Sequence, residues 1–141
     1  IFFLYGPNEH PDRLVSSVIR SVLREQDARC SHGNQIRDYL FVQDVADALV
    51  ALLDSDVEGA VNIGAGQPTT LREIVTTAGR MMGRPDLIKL GAIPSRANDT
   101  PLVMADVGRL TDTLGWKPKY SLEEGLRDTI EWWRTELANG R

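Results

Sequence analysis

The sequence predicts an α/β fold, and three observations carry that prediction. Short apolar runs alternate with segments of helical period, two Ser/Thr-x-x-Glu signatures open helices, and the chain starts on a continuous apolar run. That run, Ile-Phe-Phe-Leu-Tyr over residues 1–5, is closed by Gly6-Pro7 and suits a strand buried on both faces of a parallel sheet. At 141 residues there is room for one domain with its own core.

The elements follow in order. After a turn-rich stretch, Leu14, Val15, Val18, Ile19, Val22 and Leu23 repeat at helical spacing, with Asp12 placed to cap the helix. Residues 28–31 and 38–42 read as short strands around the polar loop at 32–35. A second helix is expected over 44–53, with Val45, Ala48, Leu49 and Leu52 inward. Residues 60–63 read as a strand closed by Gly64-Ala65-Gly66. Thr70-Leu71-Arg72-Glu73 is a capping box opening a helix that buries Leu71, Ile74, Val75, Ala78 and Met82, ended by Gly83 and Pro85. Residues 87–90 suit a strand, and 91–101 a long loop carrying Arg96 and Asp99. Asp106 is placed to cap a short helix that stops at Gly115. Ser121-Leu122-Glu123-Glu124 is the second capping box, opening a last helix that buries Leu122, Leu126, Ile130, Trp133 and Leu137. No repeat or low-complexity tract interrupts this alternation.

Composition removes several classes. Hydrophobic residues are 42% and charged residues 26%, a globular mix rather than a disordered or fibrous one. Sixteen basic against 20 acidic residues give a net charge of −4, the wrong field for a general nucleic-acid binder. No run approaches the roughly 18 apolar residues that span a bilayer. The start lacks a basic leader and is not read as a signal peptide, so Asn98-Asp99-Thr100 reads as a chance sequon. One cysteine, Cys30, leaves no internal disulfide, which fits a reducing compartment, and the cytoplasm is expected. The chain begins on Ile1, inside a strand, as expected of a piece of a longer protein.

A self-contained active site is not visible. Cys30 and His32 lie close but lack a second pair at zinc spacing, and both read as surface loop residues, so no metal is expected. No Gly-x-Ser-x-Gly elbow or Walker lysine loop is present. Gly64-Ala65-Gly66 follows a strand like the opening of a dinucleotide fingerprint, but Thr69 stands where a third glycine belongs, and a tight turn explains it better.

A combination of motifs says more. Arg37-Asp38-Tyr39 with Val42-Gln43-Asp44-Val45-Ala46-Asp47-Ala48 is followed by Asn62-Ile63-Gly64, Arg96-Ala97-Asn98-Asp99 and Leu114-Gly115-Trp116-Lys117-Pro118. With Tyr5-Gly6-Pro7 ahead of them, these resemble the C-terminal half of the extended short-chain dehydrogenase/reductases, most closely the NAD-dependent epimerase/dehydratase family acting on nucleotide-sugars. The resemblance runs over the whole chain. It implies the last strands of a Rossmann-type sheet, residues 1–5 and about 60–64, plus a small substrate-binding α/β lobe. It also implies that the cofactor-binding half, with its glycine fingerprint and Tyr-x-x-x-Lys pair, is absent. No tyrosine here has lysine four residues on, so no catalytic residue is assigned and the chain alone is expected to be inactive. The parent activity implied is an NAD(P)-dependent epimerase, dehydratase or 4-ketoreductase. A non-catalytic nucleotide-binding or structural remnant is the alternative.

The resemblance also assigns residues. A diphosphate needs fixed cationic donors, and arginine offers a planar fork. Arg37 matches the family arginine that contacts the nucleotide, and Arg96 the one that reaches the diphosphate. Asp99 matches the acid that orients an arginine or meets a ribose hydroxyl. Asn98 replaces a usual glycine, which changes what the loop backbone must tolerate. Leu14, at a helix N-terminus, offers its amide to a phosphate while its side chain packs, with Arg13 beside it. Phe3 stands where many relatives carry an asparagine that bonds the sugar or phosphate. Tyr5 and Pro7 match the segment lining the nicotinamide end of NAD or NADP, and equally read as a strand end and a turn. The partner implied is a nucleotide-diphosphate sugar, and a homodimer of the intact protein is allowed. Read as residues alone, Trp132 and Trp133 pack, Asn62 satisfies loop backbone, and Asp44 and Asp47 suit a helix start.

Overall fold

The computed structural model describes residues 1–140. Its elements are β1 (Phe3–Tyr5), α1 (Leu14–Leu23), β2 (Ala28–Arg29), β3 (Ile36–Arg37), β4 (Tyr39–Phe41) and α2 (Val42–Leu53). Then come β5 (Thr69–Thr70), α3 (Leu71–Met81), a 3-10 turn (Pro85–Leu87), β6 (Ile88–Lys89), β7 (Leu102–Val103), a π-helical turn (Arg109–Thr113) and α4 (Leu122–Ala138). The α/β class is as predicted.

β1 lies parallel to β4 in the register Phe3↔Tyr39, Leu4↔Leu40, Tyr5↔Phe41. Successive residues of a strand point their amides to opposite edges. The Phe3 amide accordingly donates to the Asp38 carbonyl at 3.2 Å and the Phe2 amide to the Ile63 carbonyl at 2.9 Å. The opening strand, shorter than residues 1–5, therefore has a partner within this chain. Residues 60–64 do not form the expected strand: one bond to Phe2 is not a ladder. β2 pairs with β6, in parallel, and β3 is flanked by antiparallel β5 and parallel β7. β7 follows directly on the segment 91–101 read as loop, and only two residues pair there.

Helix starts differ in instructive ways. Asp12 does not cap α1: the N-cap is Arg13, with no side-chain cap. Glu9 does that work from further back, its carboxylate accepting from the Ser16 amide (3.2 Å) and hydroxyl (2.8 Å). α2 starts at Val42, two residues before Asp44, so strand and helix abut at Phe41 and β4 is shorter than 38–42. Of the Thr70 box only one half forms, Thr70 accepting from the Glu73 amide, whereas the Ser121–Glu124 box is reciprocal. Asp106 holds the Gly108 amide at 3.1 Å ahead of the π turn, and Gly115 leaves it with φ 71°. Residues 87–90 split into the 3-10 turn and β6.

Three apolar clusters hold these pieces. Val15 and Ile19 of α1, Ile74 of α3, and Leu126, Ile130 and Trp133 of α4 close over Tyr5 and Phe41. Val18, Val22, Ala28, Cys30, Val75 and Leu87 make the second, so Cys30 is core rather than surface. Leu40, Val45, Ala48, Ile63, Leu110 and Trp116 make the third. Leu71, Met82, Leu122 and Leu137, expected in the core, are half-buried, and Leu49, expected inward, is 43% exposed. Gly125 lies under the Tyr5 hydroxyl, so close that a side chain there would collide with it.

Candidate functional site

Two adjacent residues of the Arg-Asp-Tyr motif are buried for different reasons. β3 ends on Arg37, which pairs with Val103 on one side and Thr69 on the other, and this fixes where its side chain leaves the sheet. Arg37 is only 6% exposed. Its Nη1 donates to the Ile36 carbonyl at 2.8 Å and its Nη2 to Asp99 Oδ1 at 2.6 Å. Its guanidinium carbon lies 5.6 Å from the Phe3 ring centre, a cation–π approach, and Phe3 itself packs on Tyr39 at 5.5 Å. At the position where the resemblance implies a hydrogen-bonding asparagine, this chain thus has a ring that steadies the arginine. A guanidinium out of water needs its charge answered, and Asp99 and the ring answer it on one side only. Two of its five N–H groups are used, leaving donors for a second anion.

Asp38 points the other way. Fully buried, its carboxylate accepts from the amides of Ala65 (2.6 Å), Gly66 (2.9 Å) and Ala105 (3.2 Å). Gly64 has no room for a side chain, because a Cβ would stand 2.8 Å from that carboxylate and 2.6 Å from Ala105. The Gly64-Ala65-Gly66 segment is therefore a tight turn nailed to Asp38, not a phosphate loop. Asp44 has a similar job at the next corner, its carboxylate holding the amides of Lys119 (2.9 Å) and Tyr120 (3.2 Å). The composition of these segments hid this: an acid near a helix start looks the same whether it serves the dipole or a distant loop. Asn62 does satisfy backbone as read, donating to the Asp106 carbonyl at 3.1 Å.

Arg37 faces a cavity of about 410 Å³. Of the six residues singled out for substrate, five line it: Phe3, Leu14, Arg37, Arg96 and Asp99. Leu14 is the first residue of α1; Glu9 takes the Ser16 amide, and the amides of Leu14 and Val15, which have no partner inside the helix, are the donors the N-terminus contributes here. Arg96 and Asp99 come from the loop at 91–101. Asn98, in the glycine position, takes φ 67°, the left-handed conformation that asparagine tolerates better than most residues. The loop thus keeps a glycine-like backbone without glycine. Asp99 also accepts from Gln35 Nε2 at 2.9 Å, so two residues of the 35–37 segment hold it. Arg96 is exposed, and its guanidinium has no bonding partner among the described residues. Gln35, Tyr39 and Cys30 are wall residues that sequence reasoning did not single out for the site. Burial pushes the Tyr39 pKa up to about 12 and raises that of the Cys30 thiol, which favours the protonated form of both.

The remaining expectations lie elsewhere. Arg13 is exposed, 3.9 Å from Glu9, and does not line the cavity. Nor do Tyr5 and Pro7. Tyr5 is buried, its hydroxyl donating to the Leu122 carbonyl at 3.3 Å, and burial raises its pKa. With that hydroxyl committed and no amide hydrogen on proline, the two offer a dinucleotide shape but no free polar side chain. Trp133 packs, donating to the Ser16 hydroxyl at 3.2 Å. A second cavity, about 550 Å³, is lined by Lys117, Lys119 and Glu124, but Lys119 is already paired to Asp47 at 2.6 Å. No cluster of metal-binding side chains occurs among the described residues, and no helix there is long and apolar enough to cross a membrane.

Comparison with known proteins gives this geometry a context. The family profile described as GDP-mannose 4,6 dehydratase matches residues 1–129. GDP-L-fucose synthase 1 of Arabidopsis thaliana is 36% identical over 150 residues, covering 96% of this chain and 45% of the relative. UDP-glucuronic acid decarboxylase 1 of Xenopus tropicalis is 34% identical, covering 99% and 33%. Among solved structures, UDP-glucose 4-epimerase from Thermotoga maritima with UDP-glucose superposes with a TM-score of 0.86 at 29% identity, covering 96% of this chain and 45% of that one. MoeE5 in complex with UDP-glucuronic acid and NAD superposes at 0.82 with 33% identity, covering 96% and 46%. The chain spans less than half the length of these relatives.

Proposed function

Because the chain belongs to the GDP-mannose 4,6 dehydratase family of NAD-dependent nucleotide-sugar enzymes, we propose that it is the substrate-binding portion of a nucleotide-sugar epimerase, dehydratase or 4-ketoreductase. The observation that carries this reading is Arg37: a buried, pre-aligned guanidinium with spare donors, facing a cavity that also receives Arg96 and the α1 N-terminus. The diphosphate of a nucleotide-sugar would accept from Arg37, Arg96 and the first-turn amides around Leu14. Asp99 holds Arg37 in the required rotamer, and Phe3 covers the ring of charge from behind. This is positioning work, which lowers a barrier by fixing the sugar relative to its reaction partner.

Hydride chemistry would be supplied by NAD or NADP, held mainly by the portion of the family fold outside this chain. Tyr5 and Pro7 would form part of the wall near its nicotinamide. We assign no catalytic residue here and place the parent in the cytoplasm, without nucleic-acid or membrane partners and with a homodimer allowed. The support for a reducing compartment is the free, buried Cys30.

The test is calorimetric titration of UDP, GDP and dTDP into this chain and its variants. Binding of at least one nucleoside diphosphate, weakened by Arg37→Ala and only partly restored by Arg37→Lys, is the expected result. A chain that binds none, or whose variants bind as it does, overturns the site. Assayed with nucleotide-sugars and NAD(P), the chain alone should show no turnover, and sustained turnover would move catalysis into it.

A further inference from the structure

The first turn of α1 is held from outside the helix. Its N-cap, Arg13, makes no side-chain cap. In the turn ahead, Asn8 takes φ 66° and the Glu9 amide donates to the Gly6 carbonyl, which folds Glu9 back over the helix start. Glu9 Oε2 there accepts from both the amide and the hydroxyl of Ser16, and that hydroxyl accepts from Trp133 of α4 at 3.2 Å. Ser16 is fully buried and the Glu9 side chain only 7% exposed, so the three residues tie α4 to the start of α1. The other oxygen, Oε1, has Arg13 Nε at 3.9 Å, beyond hydrogen-bond reach. Leu14 and Ser17, on the same turn, line the Arg37 cavity.

Amides of one helical turn lie within about 5.4 Å of one another along the axis. An anion taken by the Leu14 and Val15 amides therefore shares one helix end with the Glu9 carboxylate, and like charges that close disfavour each other. We propose that Glu9 is a positioning residue for this cavity: through Ser16 it holds the α1 amides toward the diphosphate, and it takes up a proton from solvent at Oε1 as the anion binds. The proposal rests on the reading of the Arg37 cavity as a diphosphate site. Protonation at Oε1 leaves Oε2 a carbonyl oxygen that still accepts from Ser16, so the hold survives while the competing charge is removed. Burial already raises the pKa of Glu9, against the pull of Ser16 and Arg13. Its charge reaches the cavity wall: Tyr39, raised first by burial, is raised further by Glu9. Other charged groups face Glu9 from three sides. They are His10 and Asp12 on its own turn, Arg13 and Arg20 of α1, and Glu136 of α4.

The experiment is calorimetric titration of UDP-glucose and GDP-mannose into this chain, in buffers of different ionisation heat. The phosphates of these probes carry no titrating proton between mildly acid and mildly basic pH. Affinity should fall about tenfold as pH rises across that window, with a fraction of a proton taken up per ligand at its middle. Glu9→Gln keeps an acceptor for Ser16 and loses the titrating group. It should bind at every pH as the wild type does at the acid end, without uptake. Glu9→Ala should bind about fivefold more weakly than Glu9→Gln at every pH, because the hold on Ser16 is gone. Wild-type binding without proton uptake overturns the inference and leaves the diphosphate reading standing. So does a pH slope that persists in Glu9→Gln, which belongs to another group such as His10, and so does a Glu9→Ala variant that binds like Glu9→Gln. If neither probe binds at any pH, the diphosphate reading falls and this inference with it. Should the Glu9 variants not fold, the proton count of the wild type beside that of His10→Gln decides: uptake lost with His10 overturns the inference.

Discussion

Arg37 and Arg96 line the same cavity and are held by opposite means. Arg37 leaves a three-stranded sheet at a fixed register, is nearly sealed from water, and is gripped by Asp99, by a backbone carbonyl and by the Phe3 ring. Arg96 stands in a loop, exposed, its guanidinium without a partner among the described residues. The difference teaches where specificity resides in such a site. A pre-aligned arginine keeps its geometry whether or not a ligand is present, so little ordering entropy is lost when one binds. A free arginine adds charge at the mouth and must be ordered at the moment of binding.

The contrast can be broken most severely from beneath. Asp38→Ala would strip three backbone amides of their acceptor next to β3, and hydrogen bonds to a charged group are worth about 1.5–3 kcal/mol each. Urea unfolding should show a loss above about 3 kcal/mol, with Asp38→Asn recovering only part of it. Stability near that of the wild type would mean the turn at 64–66 is held by something else.

Next comes the direct comparison. Arg37→Ala should weaken nucleoside-diphosphate binding by about 1.5–3 kcal/mol, tenfold to over a hundredfold. Arg96→Ala should cost less, about 1 kcal/mol, because exposed charge pairs are screened. The double variant should lose less than the sum, since both act on one diphosphate. Equal losses in calorimetry would erase the distinction. Asp99→Asn should fall between them and act through Arg37: it should lower affinity in the wild type but hardly at all in the Arg37→Ala background.

The α1 end of the cavity gives a smaller, pH-dependent effect. Burial raises the pKa of Glu9 above the ordinary glutamate range, although Ser16 and Arg13 pull it down. The folded state then holds this proton to higher pH than the unfolded state. Stability contributed by the group is present at acid pH and falls as pH rises through the raised value. Glu9→Gln should flatten that fall in unfolding titrations from acid to neutral pH, while keeping an acceptor for Ser16. A wild-type stability that rises over the same window would reverse the assignment.

The smallest effect sharpens the loop side. Asn98 sits at φ 67°, so Asn98→Gly should change stability by no more than about 0.5 kcal/mol, whereas Asn98→Val should cost about 1–2 kcal/mol. If valine is tolerated, the turn before Asp99 is not what places it.

By itself, the sequence determined the alternation of strands and helices, because burying one face of a helix or both faces of a strand leaves a local period. It determined the Ser121 capping box, since cap and acceptor lie three residues apart. Through the family resemblance that its motifs carry, it also named Phe3, Leu14, Arg37, Arg96 and Asp99, which the fold then brings to one cavity. Only the tertiary structure decided what lies between distant residues. The partner of Arg37 is 62 residues away, and the amides held by Asp38 are 27, 28 and 67 away. Asp12 and Glu9 could each have served α1, and only the path of the turn selects Glu9. Residues 60–63 have the composition of a strand and form none, because a strand exists only where a neighbour offers a matching row of carbonyls and amides. The outward leucines of α2 mark the same limit from the other direction: helical period shows that a face is apolar, and only packing shows which faces are already covered.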